Sequence, residues 1–214
     1  MRKRKSKAGR KVLVVIFLLA VIVIGAVVFI NRYYPVRYSE IVHRYAEKYD
    51  LEPALVFAVI NAESGFRSTV VSRSGASGLM QIMEDTAYWL APQIPLENFS
   101  YDRIFDPEIN IQLGTFYLSM LYRRYGDLDV ALSAYNAGSG NVERWLGDPD
   151  FSSDGKTLDH IPFAETRKYV ERVDDNMRIY SLLLRFLDIF SSHETIGTNS
   201  HRLHVSRPPL AHRF

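Results

Sequence analysis

Nineteen consecutive residues without a polar side chain, Val12 to Ile30, constrain this chain more than any other feature. A helix needs roughly 20 apolar residues to cross the hydrocarbon core of a bilayer. The flanks of the run are unequal. Residues 1–11 hold seven Lys or Arg and no acid, and only Arg32 and Arg37 come closely after it on the other side. Positive charge stays on the cytoplasmic face, so the N-terminus is expected inside and the rest of the chain outside. A cleaved signal peptide is the competing reading. Its apolar stretch would be shorter, roughly 7–15 residues, and end at a small-residue cleavage site. Here the run ends Val-Val-Phe-Ile-Asn-Arg-Tyr-Tyr, without an Ala-x-Ala pattern. The expected organisation is a basic cytoplasmic segment 1–11, a single transmembrane anchor 12–31, one extracytoplasmic domain 32–190 and a tail 191–214.

The domain is of the usual size for one compact unit. It carries 16 Lys plus Arg against 23 Asp plus Glu, a net charge of −7. The N-terminal cluster offsets this negative charge, and the whole chain carries +2. That cluster suits topology and anionic headgroups, and an acidic domain is a poor binder of phosphate backbones, so no nucleic-acid partner is expected. The chain has no Cys, which excludes a disulfide framework and a lipid-modified N-terminal Cys.

Patterning after residue 32 is helical. Ser39 can cap a helix to about Tyr49, with Ile41, Val42, Tyr45 and Ala46 on one face. Pro53 suits the first turn of the next helix. Residues 65–78, with Gly65, Gly75 and Gly78, read as an ordered loop. Asp85 can cap a short helix from Thr86 to Ala91, stopped by Pro92. Asp106-Pro107 opens a long helix that Gly126 breaks, with Ile109, Leu113, Phe116, Tyr117, Met120 and Leu121 on its stripe. Asp127 starts another through Ala137, a further turn or two spans Asn141–Leu146, and 147–162 is a polar loop. A last long helix is expected from about Ala164 to Phe190. The tail lacks apolar periodicity and reads as disordered. Its His193, His201, His204 and His212 lack the spacing of a metal site, and none is assigned.

Glu63 ends an otherwise apolar run beginning at Ala54. On a helix it shares a face with Val59 and Ile60. Burial and the negative end of the helix dipole both disfavour its charged form. A carboxyl held neutral near pH 7 is what a general acid requires. The plainer reading is a solvated surface Glu at a helix end.

The blocks downstream of Glu63 bear on that choice. The chain continues Glu63-Ser64-Gly65-Phe66, then Ser72-x-x-Gly75-Ala76-Ser77-Gly78-Leu79-Met80-Gln81-Ile82-Met83. Later come Ala134-Tyr135-Asn136-Ala137-Gly138 and Ile161-Pro162-Phe163-Ala164-Glu165-Thr166-Arg167-x-Tyr169-Val170. Together these blocks, in this order, resemble the catalytic domain of the soluble lytic transglycosylase family over roughly residues 38–185. The resemblance implies a mainly α, lysozyme-like helical domain, here preceded by a single transmembrane helix. It implies cleavage of peptidoglycan glycan strands with no metal or organic cofactor. Glu63 matches the family's single catalytic acid. Ser72 matches a residue that hydrogen-bonds near the glycan acetamido group. Gln81, Met83 and Tyr135 match groups lining the glycan groove, and Glu165 matches a second acid contacting the sugar. Glu84 departs from the family, which often has Pro there, and leaves the start of the next helix open.

Each residue also has a structural reading. Gly75 and Gly78 can serve turns, Met80 and Met83 can fill core, and Tyr135 and Asn136 can close a helix. Glu165 can complement a helix N-terminus. Retaining and inverting glycosidases pair two carboxyls roughly 5–5.5 Å or 6.5–9.5 Å apart. Only Glu63 sits in an apolar frame, which favours substrate-assisted catalysis. A hydrolytic muramidase of goose-type character and a non-catalytic glycan-binding scaffold are the alternatives.

Overall fold

The computed structural model describes residues 7–199 apart from 97. Among them are eight α-helices and no strand: α1 (Lys7–Tyr33), α2 (Ser39–Lys48), α3 (Pro53–Ser64), α4 (Glu84–Leu90), α5 (Pro107–Tyr125), α6 (Leu128–Ala137), α7 (Ser139–Leu146) and α8 (Ala164–Asn199). The expected mainly α architecture is what the chain adopts. Residues 1–6 of the basic segment and 200–214 of the expected disordered tail lie outside the described residues.

α3 is the centre of the domain. Pro53 occupies its first turn and Gly65 ends it in a left-handed conformation, φ 58°. Every residue from Ala54 to Ile60 is buried. A helix apolar on all sides must be enclosed on all sides. α8 covers one flank through Tyr169, Val170, Val173 and Tyr180, and α2 covers another. Phe57 stacks on Tyr180 at 5.3 Å between ring centroids. α5 and α6 complete the core, and Tyr45 of α2 is tied to α5 through Glu108 at 2.6 Å and Gln112 at 3.2 Å.

The loop between α3 and α4 has no regular structure, yet it is pinned at many points. Ser77 and Ile82 exchange two backbone hydrogen bonds, and the Gly78 N–H donates to the Val70 carbonyl. Asn110, fully buried on α5, accepts from the Met80 N–H at 2.7 Å and donates to the Ser77 and Ile104 carbonyls. Buried backbone groups outside helices need such partners. Gly78 is required twice over. Its φ is +82°, and a Cβ there would collide with the Asn110 side chain and sit 2.9 Å from the Ile104 carbonyl. Met80 fills the space over Gly114 of α5.

Several expected helix ends move. Ser39 is the first residue of α2 rather than its cap; Tyr38 holds the cap position at φ 58°, without a side-chain bond. The Tyr38 ring packs on the core, which offsets the strain of a left-handed backbone. α4 begins at Glu84, with Met83 before it, so Asp85 caps nothing. Glu84 thus stands at the first helical position, where Pro is favoured and an acid complements the dipole. Pro92 does not stop the chain's helical path, which tightens into a 3-10 turn over Ala91–Gln93. α7 starts at Ser139, and α8 continues past Phe190 to Asn199, a stretch that holds no Pro to break it.

Candidate active site

Glu63 lies in the last turn of α3, below the left-handed Gly65. Its neighbours on the helix face, Val59 and Ile60, are both fully buried. The residue keeps some contact with solvent, but protein surrounds its carboxyl closely. Burial is the largest influence on its proton and pushes it from an ordinary 4.5 up to about 7. Two groups act the other way. The Tyr169 hydroxyl of α8 and the Arg172 guanidinium, one helical turn on, both favour the ionised form. Arg172 also donates to the Ala62 carbonyl at 3.3 Å. The Tyr169 hydroxyl is buried and has no well-aligned partner, so its contact with Glu63 is looser than a full hydrogen bond.

A near-neutral Glu63 can both give and take a proton around pH 7. No second carboxylate figures among the groups acting on it. Glu84 and Asp85, the sequence neighbours nearest to serving as partners, sit exposed in the first turn of α4. The apolar frame inferred for Glu63 is present, and among the described residues no acid is paired with it.

Tyr135 of α6 lies close enough to Glu63 to feel its charge and also borders a cleft. Burial pushes its phenol well up, and the charge on Glu63 adds to this. Its hydroxyl donates to the Met80 carbonyl at 2.8 Å. The ring lines a cleft of about 200 Å³ together with Gln81, Met83, Thr86, Tyr117 and Asn136. Gln81, Met83 and Tyr135, expected to line one groove, do share this cleft. Met83 is 42% exposed whereas Met80 is fully buried, so the two Met residues of one block divide between surface and core. Gln81 has a left-handed backbone, φ 50°. Its amide nitrogen donates to the Val70 and Gly78 carbonyls, which fixes the loop.

A second cleft of about 530 Å³ adjoins the first at Asn136 and Ala137. Pro162, Phe163, Glu165 and Thr166 form its other side. Glu165 is exposed there and does not figure among the groups acting on Glu63. Ser72 stands apart. Its hydroxyl accepts from the Ala76 N–H at 3.0 Å and meets Ser74 at 2.9 Å, which closes its own turn rather than reaching Glu63.

Aromatic rings outside the expected site complete the walls. Trp89 meets Tyr117 edge-on at 6.3 Å, and Tyr117 meets Tyr135 at 5.3 Å. Phe163, half exposed, packs edge-on against Trp145 at 4.9 Å. Exposed rings beside a polar cleft suit the apolar faces of sugars. Tyr117 belongs to the apolar stripe of α5, and periodicity does not separate a core position from a groove position. Tyr169 stands within one of the sequence blocks, yet its role depends on α8 crossing α3.

Residues 40–157 match the family described as Transglycosylase SLT domain. The soluble lytic murein transglycosylase of Escherichia coli (strain K12) is 37% identical over 143 residues, 65% of this chain and 22% of that protein. The membrane-bound lytic murein transglycosylase C of Edwardsiella ictaluri (strain 93-146) is 33% identical over 178 residues, 67% of this chain and 46% of that protein. Among solved structures, an inactive Glu-to-Gln mutant of lytic transglycosylase Slt from Pseudomonas aeruginosa superposes with a TM-score of 0.64 at 34% identity. The match covers 73% of this chain and 26% of that one. A complex of the 70-kDa soluble lytic transglycosylase with bulgecin A gives 0.63 at 32%, covering 71% and 25%. The chain thus spans about a quarter of the soluble relatives and under half of the membrane-bound one.

Proposed function

We propose that this chain, which belongs to the transglycosylase SLT domain family, cleaves the β-1,4 bond between N-acetylmuramic acid and N-acetylglucosamine in peptidoglycan and leaves a 1,6-anhydromuramic end. The observation that carries this is Glu63, whose carboxyl is pushed up to about 7 by burial, near Tyr135 of the cleft wall and with no partner acid acting on it among the described residues. Neutral Glu63 donates its proton to the glycosidic oxygen as the bond to the muramic anomeric carbon breaks. The muramic acetamido oxygen stabilises the developing cation, in the substrate-assisted manner that some glycosidases use. The Glu63 carboxylate then takes the proton of the sugar's own 6-hydroxyl, whose oxygen closes onto the anomeric carbon. Glu63 ends the cycle protonated, and no water is consumed. Tyr169 and Arg172 keep the carboxylate accessible in the second step, because both favour its charged form.

Gln81, Met83 and Tyr135 line the glycan groove, and Glu165 contacts the strand farther along the second cleft. The role carried over for Ser72 is a contact with the acetamido group, reached only if the 72–76 turn opens its hydroxyl to substrate. No residue is assigned to a metal or organic cofactor.

An apolar helix of membrane-spanning length, Gly9–Tyr33, and a membrane-bound relative suggest that the chain is anchored in a membrane. The finer proposal is a single-pass protein of a bacterial cytoplasmic membrane. Residues 1–11 lie in the cytoplasm, 12–31 in the bilayer and the catalytic domain 32–190 outside. Unequal basic flanks support that orientation.

Digestion of purified peptidoglycan by the protein, with mass spectrometry of the products, tests the chemistry. Muropeptides one water lighter than their reducing counterparts are expected. Reducing ends would make the protein a hydrolytic muramidase. Retained wall binding with no products, from a folded protein, would make it a glycan-binding scaffold.

A further inference from the structure

Two cavities lie side by side where α1 meets the domain. One, about 570 Å³, is walled by Val27 and Ile30 of α1 and by Leu183, Phe186 and Leu187 of α8. The other, about 390 Å³, is walled by Asn31, Arg32, Arg37 and Arg67, with Ser64 and Gly65 at its base. Asn31, Pro35 and Arg37 border both, so the apolar space runs into the basic one.

α8 sets their position. Its Tyr180 donates to the Pro35 carbonyl, just past the end of α1. Three to seven residues later it flanks Val27 and Ile30. Going forward along α8 is therefore going back along α1, toward the apolar span. Leu182, Phe186 and Ile189 form one stripe on this part of α8 and are 69%, 58% and 56% exposed. In water that stripe would be unfavourable; beside a membrane anchor it continues the same apolar surface.

The basic cavity is equally unbalanced. Arg44–Glu108, Arg124–Glu143 and Arg178–Asp174 form ion pairs elsewhere on the domain. Among the described residues no carboxylate pairs with Arg32, Arg37 or Arg67, in a domain whose acids outnumber its Lys and Arg. On the proposed topology they fall at the end of the span, at headgroup depth, where basic residues between helices capture anionic lipid headgroups.

We propose that this junction binds one anionic glycerophospholipid, with its phosphate among Arg32, Arg37 and Arg67 and an acyl chain along Leu183, Phe186 and Leu187. The inference rests on α1 spanning the bilayer. Asn61 donates to both the Tyr33 carbonyl, at 2.7 Å, and the Tyr180 hydroxyl, at 3.0 Å. The lipid would thus sit against an already bonded corner that includes the helix of Glu63.

The test uses the full chain in nanodiscs of equal phosphatidylglycerol and phosphatidylcholine, released into mild detergent and weighed by native mass spectrometry. Alkaline carbonate extraction comes first; release of the wild-type protein would overturn the membrane reading and this inference with it. With the protein embedded, one retained phosphatidylglycerol is expected in preference to phosphatidylcholine. Each arginine near the surface is worth about fivefold, so R32Q/R37Q/R67Q should reduce the preference by roughly a hundredfold. Arg67 also donates to the Ser64 carbonyl, so R32Q/R37Q serves if the triple variant does not fold. Leu183→Ser should weaken retention while keeping the charge preference. Equal retention of both lipids, or a preference that survives loss of the arginines, would overturn the proposal. So would complete displacement by inorganic phosphate with no effect of Leu183→Ser, which would mark an anion pocket only. Preferential retention of an added polyprenyl diphosphate would overturn it in favour of a different lipid.

Discussion

Replacing Glu63 by Gln should destroy lysis and stabilise the protein above neutral pH. Burial raises the carboxyl from 4.5 to about 7 in the folded chain. A folded-state value above the unfolded one means the folded protein holds its proton more tightly. The associated stability is present in full below about pH 4.5 and is lost as pH rises through about 7. Each unit is worth 1.36 kcal/mol, so ionised Glu63 costs the fold about 3 kcal/mol at pH 8. At pH 5 the same arithmetic leaves about 1 kcal/mol, and at pH 4 almost nothing. The glutamine side chain keeps the shape and polarity without the charge. The stabilisation from Glu63→Gln should therefore track that curve. Chemical denaturation in detergent, monitored by the fluorescence of Trp89 and Trp145, reads it directly. A Glu63→Gln gain that is absent at pH 8, or as large at pH 4 as at pH 8, would refute the claim that a buried, proton-holding carboxyl occupies this helix end.

Three further outcomes rest on single contacts. Gly78→Ala should cost at least about 2 kcal/mol and lower the melting temperature, because a left-handed backbone and a collision with Asn110 both oppose the methyl; an unchanged melting temperature would show that the loop is not held as described. Asn110→Leu should cost about 2 kcal/mol or more in denaturant titrations, since it strands the Met80 N–H and the Ile104 carbonyl and leaves the Ser77 carbonyl only its bond from Ile82. Tyr169→Phe removes a group that favours ionised Glu63, so the alkaline limb of the rate–pH profile should move to higher pH; a limb that stays put or moves down would exclude Tyr169 from the site.

How much of the structure is legible in the sequence depends on the range over which its causes act. The ends of α3 and α5 are legible because Pro53, Gly65, Asp106 and Gly126 act within one turn of themselves. Glu63 is legible because its burial arises from the apolar residues on its own helix. The groove is only partly so. Gln81 and Met83 are marked by a family resemblance, and the observed bonds show Gln81 also fastening the loop. Asn110 gives no signal: a polar residue in mid-helix looks like solvent exposure until Met80, thirty residues upstream, is placed against it. Ser39 and Asp85 mislead because good cap residues stand inside helices whose starts are fixed by other contacts.

The proposed anchor and Glu63 are mechanically linked, and this bears on where the protein acts. Only residues 34–38 separate α1 from α2, and they do not form a free linker. Tyr180 bonds to Pro35, and Asn61 bonds to the last carbonyl of α1 from a position two residues before Glu63. A flexible tether would let the groove sweep through the wall, with a reach that grows with its length. Here the end of α1 and the helix of Glu63 share hydrogen bonds, so on the proposed topology the groove is held near the bilayer surface. The strands it meets are then the membrane-proximal ones. Inserting a flexible segment after Tyr33 should broaden the glycan it cuts in intact cells without changing the products from purified peptidoglycan; an unchanged cellular profile would refute the link.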